Sequence, residues 1–521
     1  MNKKARIILS ILALLLVALM VTACNRNGGG VDPAPTAPPA PAPPAPPAPT
    51  PPAPGPDPVA TPTGTRDWQG LRPYLSTGND TITVSMAEWM ATYAEDGTAG
   101  VMMNALDQFR LHHPDINLEF QFANIGNDEA IIALVAAGDL PDVFFDIQRP
   151  LPFMITQGWL HPLLDFITDD DYEFHTIPDH IHYFRTFAGE LWSLPGRSHA
   201  NSGFIVINTT LMEELNLDMP RPDWTWDEFE QFIMAGATDQ FAGIERLWSP
   251  EFLGVTLGRE DIFGFNTATS RFDLTGDWIQ AHNRLQHWTS VPNLEAFALR
   301  CQDDPFGNED SDYIRKFGAG NIGDGRMAFM TGNVLTILGS SADRGWFQEN
   351  WHLQEAPFDV VVHSIPQNPR YGLRLPLHAM HTVVTSTTQH PEAAFELARW
   401  LSYSEVGLRS IIHSFFFKPN VDNPNVWSAF EQYWADQMTP GLIYSLANFH
   451  QGGMIGMFPV IPDYGSIFDS VLNPANQEVF DGGDVHSIAA EATDRANAMV
   501  AEAIARVEAE AAAALAAFRA R

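Results

Sequence analysis

The chain has 521 residues and a formal net charge of −34, and 45% of its residues are apolar. Nucleic acids and anionic lipid surfaces need clustered cations, which this balance excludes as partners. With two cysteines, Cys24 and Cys301, in so long a chain, stability must come from a large apolar core and not from disulfides.

In chain order, Lys3, Lys4 and Arg6 precede an apolar run over residues 7–21, which ends in V-T-A-C with Cys24. A basic start, an apolar core of ~15 residues and small residues before a cut site describe a secretory signal, too short to span a bilayer comfortably. The VTAC segment resembles the bacterial lipobox, so residues 1–23 read as a lipoprotein signal peptide and Cys24 as the lipidated first residue of the exported chain. Residues 24–64 form a Pro/Ala-rich linker. Of the 40 prolines, 16 fall in residues 28–64, a composition that favours extended polyproline II and cannot bury enough surface to fold.

Globular patterning begins near Asp80. TITVSMAEW at 81–89 alternates and is β-branched, and residues 101–112 are helical in pattern. NLEF at 117–120 alternates again. AAGDLPDVFFD at 136–146 reads as a helix end, a stop at Gly138 and Pro141, and a strand apolar on both faces, as in a buried parallel sheet. The order β-α-β-α-β defines an open α/β domain, whose ligands bind beyond the carboxyl ends of its strands. Glu88, Trp89 and Asp146 fall at such ends. Thr225 with Glu228 spells a capping box, His390-Pro391-Glu392 opens a helix, and residues 485–521 form a long Ala-rich helix expected to fray at its end.

Together HPDI at 113–116, AAGDLPDVFFD, GWLHPLLDFI at 158–167, ELWSLPG at 190–196, FIVINTTLMEELNL at 204–217, WTWDEF at 224–229, GRMAFMTGN at 325–333 and HPEAAFELARWLSYSE at 390–405 resemble the extracellular solute-binding proteins of family 1. These are receptors of ABC importers, mostly for sugars. The resemblance implies a two-lobed, type II periplasmic-binding-protein-like α/β fold with a hinge. It assigns residues 79–197 plus 324–365 to lobe 1, and 198–323 plus 366–521 to lobe 2. It implies a monomer, lipid-anchored to the membrane and facing outside the cytoplasm, that captures a sugar or oligosaccharide and delivers it to ABC permease subunits.

A carbohydrate offers hydroxyls, satisfied by carboxylates and amides, and flat C–H faces, covered by aromatic rings. The residues suited to this chemistry are Glu88, Trp89, Asp146, Trp192, Arg197, His199, Asn201, Trp248, Asn333 and Trp346. Trp351 is a further loop aromatic, whereas Trp224 and Trp226 are expected to pack a helix start. No cofactor and no metal is implied. Gly318 to Gly323 spells G-x-G-x-x-G, but IRKF before it does not read as a sheet strand, and the pairs His378/His381 and His180/His182 lack further ligands at a recurrent spacing. Two other readings share these residues: an exported carbohydrate-active enzyme, which needs two carboxylates ~5 or ~6.5–9.5 Å apart, and a receptor for a non-sugar solute.

Overall fold

The computed structural model describes residues 80–86, 102–121, 128–147, 151–168, 170–178, 185–200, 204–245, 247, 249–257, 264–266, 269–296, 329–339, 358–374, 377–412, 419, 421–434, 439–447 and 461–521. The signal, the linker and the segment at 318–323 lie outside them.

The chain opens with β1 (Asp80–Ser85), α1 (Met103–His112), β2 (Ile116–Phe120), α2 (Asp128–Ala137) and β3 (Val143–Ile147), the order expected from the patterning. Gly138 ends α2 at φ +69°, a left-handed conformation that glycine adopts without strain. Then come α3 (Leu151–Thr156), the short hairpin β4 (Thr186–Phe187) and β5 (Glu190–Leu191), and the strands β6 (Leu194–Ala200) and β7 (Phe204–Asn208). After these follow α4 (Thr209–Glu214), α5 (Trp226–Gly236), β8 (Ala242–Ile244), α6 (Pro250–Leu257), β9 (Phe265–Asn266), β10 (Arg271–Phe272) and α7 (Asp277–Thr289). The rest comprises β11 (Val334–Gly339), β12 (Val360–Ser364), β13 (Leu377–Val384), α8 (Pro391–Ser402), α9 (Glu405–Ser410), α10 (Pro424–Trp434), α11 (Pro440–Ala447), α12 (Tyr464–Ile467), α13 (Asn473–Phe480) and α14 (Val485–Arg519).

Two sheets organise these elements. The first has the order β2-β1-β3-β13-β6, with β1 parallel to β2 and β3, and β13 antiparallel to β3 and β6. The second has the order β12-β7-β11-β8, with β7 antiparallel to both neighbours. Every residue of β7 is buried, so this strand needs a partner on each edge. β11 and β12 supply them.

That pairing corrects the expected division of the chain. Residues 334–364 belong with lobe 2, because β11 and β12 flank β7, and residues 377–384 belong with lobe 1, because β13 lies between β3 and β6. The segment LPGRSHA forms the strand β6. β6 is the sheet's edge, where Pro195 is tolerated because one side of the strand needs no ladder bonds.

Local signals were kept where side chains satisfy them. Thr225 caps α5, with the Glu228 amide donating to Thr225 Oγ1 at 3.3 Å and the Thr225 amide donating to Glu228 Oε2 at 2.7 Å. Trp400 on α8 is buried, its indole N–H donating to Ala105 O at 3.0 Å, which locks α8 to α1. Arg399 on the same helix pairs with Glu396 at 2.9 Å and with Glu173, whose other oxygen accepts from the Glu405 amide at 2.9 Å. Helix α14 does not fray. It continues to Arg519 because Val507, Ala511 and Leu515 are buried against lobe 1.

Candidate cleft between two sheet edges

The chain passes from the first sheet to the second between Ala200 and Phe204, and returns between Ser364 and Leu377. The ends of the two passages are paired on both sides. Ala200 is the register partner of Leu377 in the first sheet, and Phe204 is the partner of Ser364 in the second. Two crossings with tied ends form a hinge.

Strand direction then fixes which edges face it. In the first sheet β6 runs parallel to β1 and β3, so the carboxyl ends at Ser85, Ile147 and Ala200 all lie on the crossing side. β6 and β13 extend past Ile147, which pairs with His381, and this projecting ribbon carries positions 197 and 199, with His199 in register with His378. In the second sheet Phe204 also pairs with Gly339, so β11 ends at the crossing, and Ile244 pairs on the adjacent β8 with Thr336. Both sheets thus present carboxyl edges to one crevice, the place where open α/β sheets hold ligands.

Around the hinge the polar groups are fixed by short bonds. Trp224, in the loop before α5, donates its indole N–H to Ser364 O at 3.0 Å, and His363 Nε2 donates to Pro220 O at 3.0 Å. Burial holds His363 below the usual imidazole range, so it is neutral. Tyr444 on α11 donates to Gln367 Oε1 at 2.5 Å, and burial with nearby Asp223 raises its phenol. Gly441, at the start of α11, approaches so closely that a β-carbon there would lie 2.7 Å from Ser364 N. In lobe 1 His381 meets Ser193 Oγ at 3.1 Å, and burial followed by the charge of Arg185 holds it well below its ordinary value. His381 is a core histidine.

The sequence-based candidates divide by this geometry. Glu88 and Trp89 directly follow β1, Asn201 lies within the first crossing, Trp248 follows β8, and Trp346 and Trp351 follow β11. All six lie outside the described residues. Asp146 lies on β3, one residue before its end, and Arg197 and His199 on β6; for these three the described part is the backbone alone. Two candidates are not brought to the crevice. Asn333 stands at the amino end of β11, about 20 Å from Gly339 at the rise of an extended strand. Trp192 precedes β6, is 1% exposed, and donates its indole N–H to Phe187 O at 3.0 Å.

Sequence reading missed a carboxylate pair in lobe 2. Glu245, 1% exposed at the carboxyl end of β8, accepts the Phe329 amide at 2.6 Å, and Glu295 accepts the Leu247 amide at 2.9 Å. Glu295 thus holds Leu247 beyond β8, and Glu245 holds Phe329 ahead of β11. An acidic residue directly after the short apolar stretch AGI was the available signal. Among the described residues no group of three or more His, Cys, Asp or Glu is arranged to hold a metal ion, and no helix is long and apolar enough to cross a membrane.

Two sheet-centred lobes, a 2-1-3-n-4 strand order in the first and a tied double crossing define a type II binding-protein fold. Residues 87–232 match the family model for bacterial extracellular solute-binding protein. Solved structures share the fold. They include an ABC substrate-binding protein of Listeria monocytogenes in complex with cycloalternan, 18% identical, covering 81% of this chain and 99% of its own, with a TM-score of 0.56. The cyclic α-maltosyl-1,6-maltose binding protein of Arthrobacter globiformis is 16% identical over 81% and 99%, with a TM-score of 0.58. UgpB of Mycobacterium tuberculosis, in complex with glycerophosphocholine, is 14% identical over 82% and 99%, with a TM-score of 0.54. No curated protein matches the chain.

Proposed function

We propose that this chain is the receptor of an ABC importer, a lipoprotein anchored through Cys24 that binds a neutral or weakly charged oligosaccharide between its lobes and hands it to the permease. The observation that carries this reading is the double crossing with tied ends, which sets two carboxyl edges against one crevice. Glu88, Trp89 and Asp146 would contact the sugar from lobe 1, Arg197, His199 and Asn201 from the hinge, and Trp248 and Trp346 from lobe 2. Similar folds hold cycloalternan and cyclic α-maltosyl-1,6-maltose, which favours α-glucans as the first ligands to try. The residues 28–64 would hold the binding domain off the membrane by up to about 100 Å.

The test is a panel of linear and cyclic α-glucans, with glycerophosphocholine as the non-sugar arm, added to the purified chain. Melting temperature and released reducing ends are followed together. A receptor shows saturable stabilisation by a glucan and no release. Accumulating reducing ends would replace this reading with an exported glycan-active enzyme.

A further inference from the structure

Helix α14 belongs to both lobes. Its first half is fixed to lobe 2: Asn497 Oδ1 accepts the Phe272 amide at 2.8 Å while Asn497 Nδ2 donates to Phe272 O at 2.9 Å, and Thr493 accepts the Leu274 amide at 3.0 Å. Its second half lies on lobe 1. There Leu515 and Val507 pack among Met154, Leu160 and Trp192, Glu508 Oε2 accepts the Ala188 amide at 2.6 Å, and Arg519 faces the buried Glu190 at 3.5 Å. Between Asn497 and Glu508 lie three turns of unbroken helix, about 16 Å of stiff rod. Lobes that turn about the paired crossings cannot keep both attachments unless the rod bends.

The two attachments are unequal. The lobe 2 side is a buried, reciprocal side-chain-to-backbone pair. The lobe 1 side is thinner: a cavity of about 330 Å³ opens between Gly158, Trp192, Ala514 and Phe518, and Arg519 is 60% exposed.

We propose that the second half of α14 is a releasable strap. Fixed to lobe 2 through Asn497, it holds lobe 1 in the present arrangement through Glu508, Leu515 and Arg519, and its detachment frees the lobes to swing apart. The inference rests on a two-lobed receptor that moves at its hinge, not on the ligand being a sugar, so it is read without ligand.

Spin labels at Leu111→Cys on lobe 1 and Gln280→Cys on lobe 2, in the full chain carrying Cys24→Ser and Cys301→Ser, report the inter-lobe distance. The strap requires one narrow distance in this parent and a second population when Glu508→Ala and Arg519→Ala are added, with Glu508→Gln, which keeps an acceptor, restoring the narrow one. An unchanged distribution in the double variant, or a Gln variant that behaves as Ala, overturns the proposal. Should the double variant fail to fold, amide exchange in the unmodified chain decides. Residues 508–519 should exchange roughly tenfold or more faster than 488–500, since local opening draws on the less densely packed contact. Equal protection along the helix contradicts it.

Discussion

Phe204 and Ser364 are register partners, the first residue after one crossing and the last before the other. Because Ala200 and Leu377 are partners on the far side, the two sheet edges are joined where the chain leaves and re-enters each of them. Everything expected of the crevice follows from this tie.

In the proposed site, Trp89 and Asp146 serve ligand contact and not folding. Trp89→Ala and Asp146→Ala should each weaken glucan binding about tenfold or more, the value of one lost stacking surface or charge-assisted hydrogen bond of ~1.5–3 kcal/mol. The melting temperature of the unliganded chain should stay within a few degrees. Titration calorimetry beside a thermal melt checks both, and unchanged affinity in both variants sinks the site assignment.

Glu245 serves a different purpose. Its carboxylate is enclosed and satisfies the Phe329 amide, so Glu245→Ala strands a buried donor at a cost of about 1–3 kcal/mol, while Glu245→Gln keeps an acceptor and should cost less. Urea midpoints of the two variants measure the difference.

Arg399 lies between Glu173 and Glu396, and burial raises both carboxyl groups above their ordinary value of 4.5, against the opposing pull of Arg399. Removing only the cation, as in Arg399→Met, leaves two carboxylates enclosed together and should cost about 3–5 kcal/mol near neutral pH. A raised acid binds its proton in the folded state where the unfolded chain has released it. The variant should therefore lose stability as pH rises from 4.5 and recover part of it towards pH 4. Denaturant melts at pH 4.5 and 7 check the sign.

His282 gives the opposite slope. Enclosed beside Trp278, it donates from Nε2 to Asn476 Oδ1 at 2.8 Å, and burial lowers it from 6.5 to about 4. The folded protein keeps it neutral where the unfolded chain is protonated. Its stabilisation is complete above pH 6.5 and is lost as pH falls through 4, up to about 3 kcal/mol. Since His113 is also lowered to about 4, His282→Gln should remove about one proton, not the whole slope, from the pH dependence of stability between 6.5 and 4.

The local grammar of the chain was legible because it is written in neighbouring residues. The run β1-α1-β2-α2-β3, the stop at Gly138 and the Thr225/Glu228 box each depend on side chains a few positions apart. Partner choice is another matter. VLTILG and VVVHS are apolar enough to join either sheet, and only the need of fully buried β7 for two neighbours puts them in lobe 2. Trp192 reads as a loop aromatic off any periodic face, yet it is buried and its indole N–H donates to Phe187 O at 3.0 Å. Glu508 and Arg519, which read as solvated charges on an Ala-rich helix, reach lobe 1 at Ala188 and Glu190, more than 300 positions away in sequence.

Amide exchange with and without a saturating α-glucan tests the central claim most directly. Protection should appear together at 87–90 and 148–150 in lobe 1, at 201–203 in the hinge, and at 246–248 in lobe 2. Protection confined to one lobe, or found only away from the two carboxyl edges, would contradict a ligand held between them.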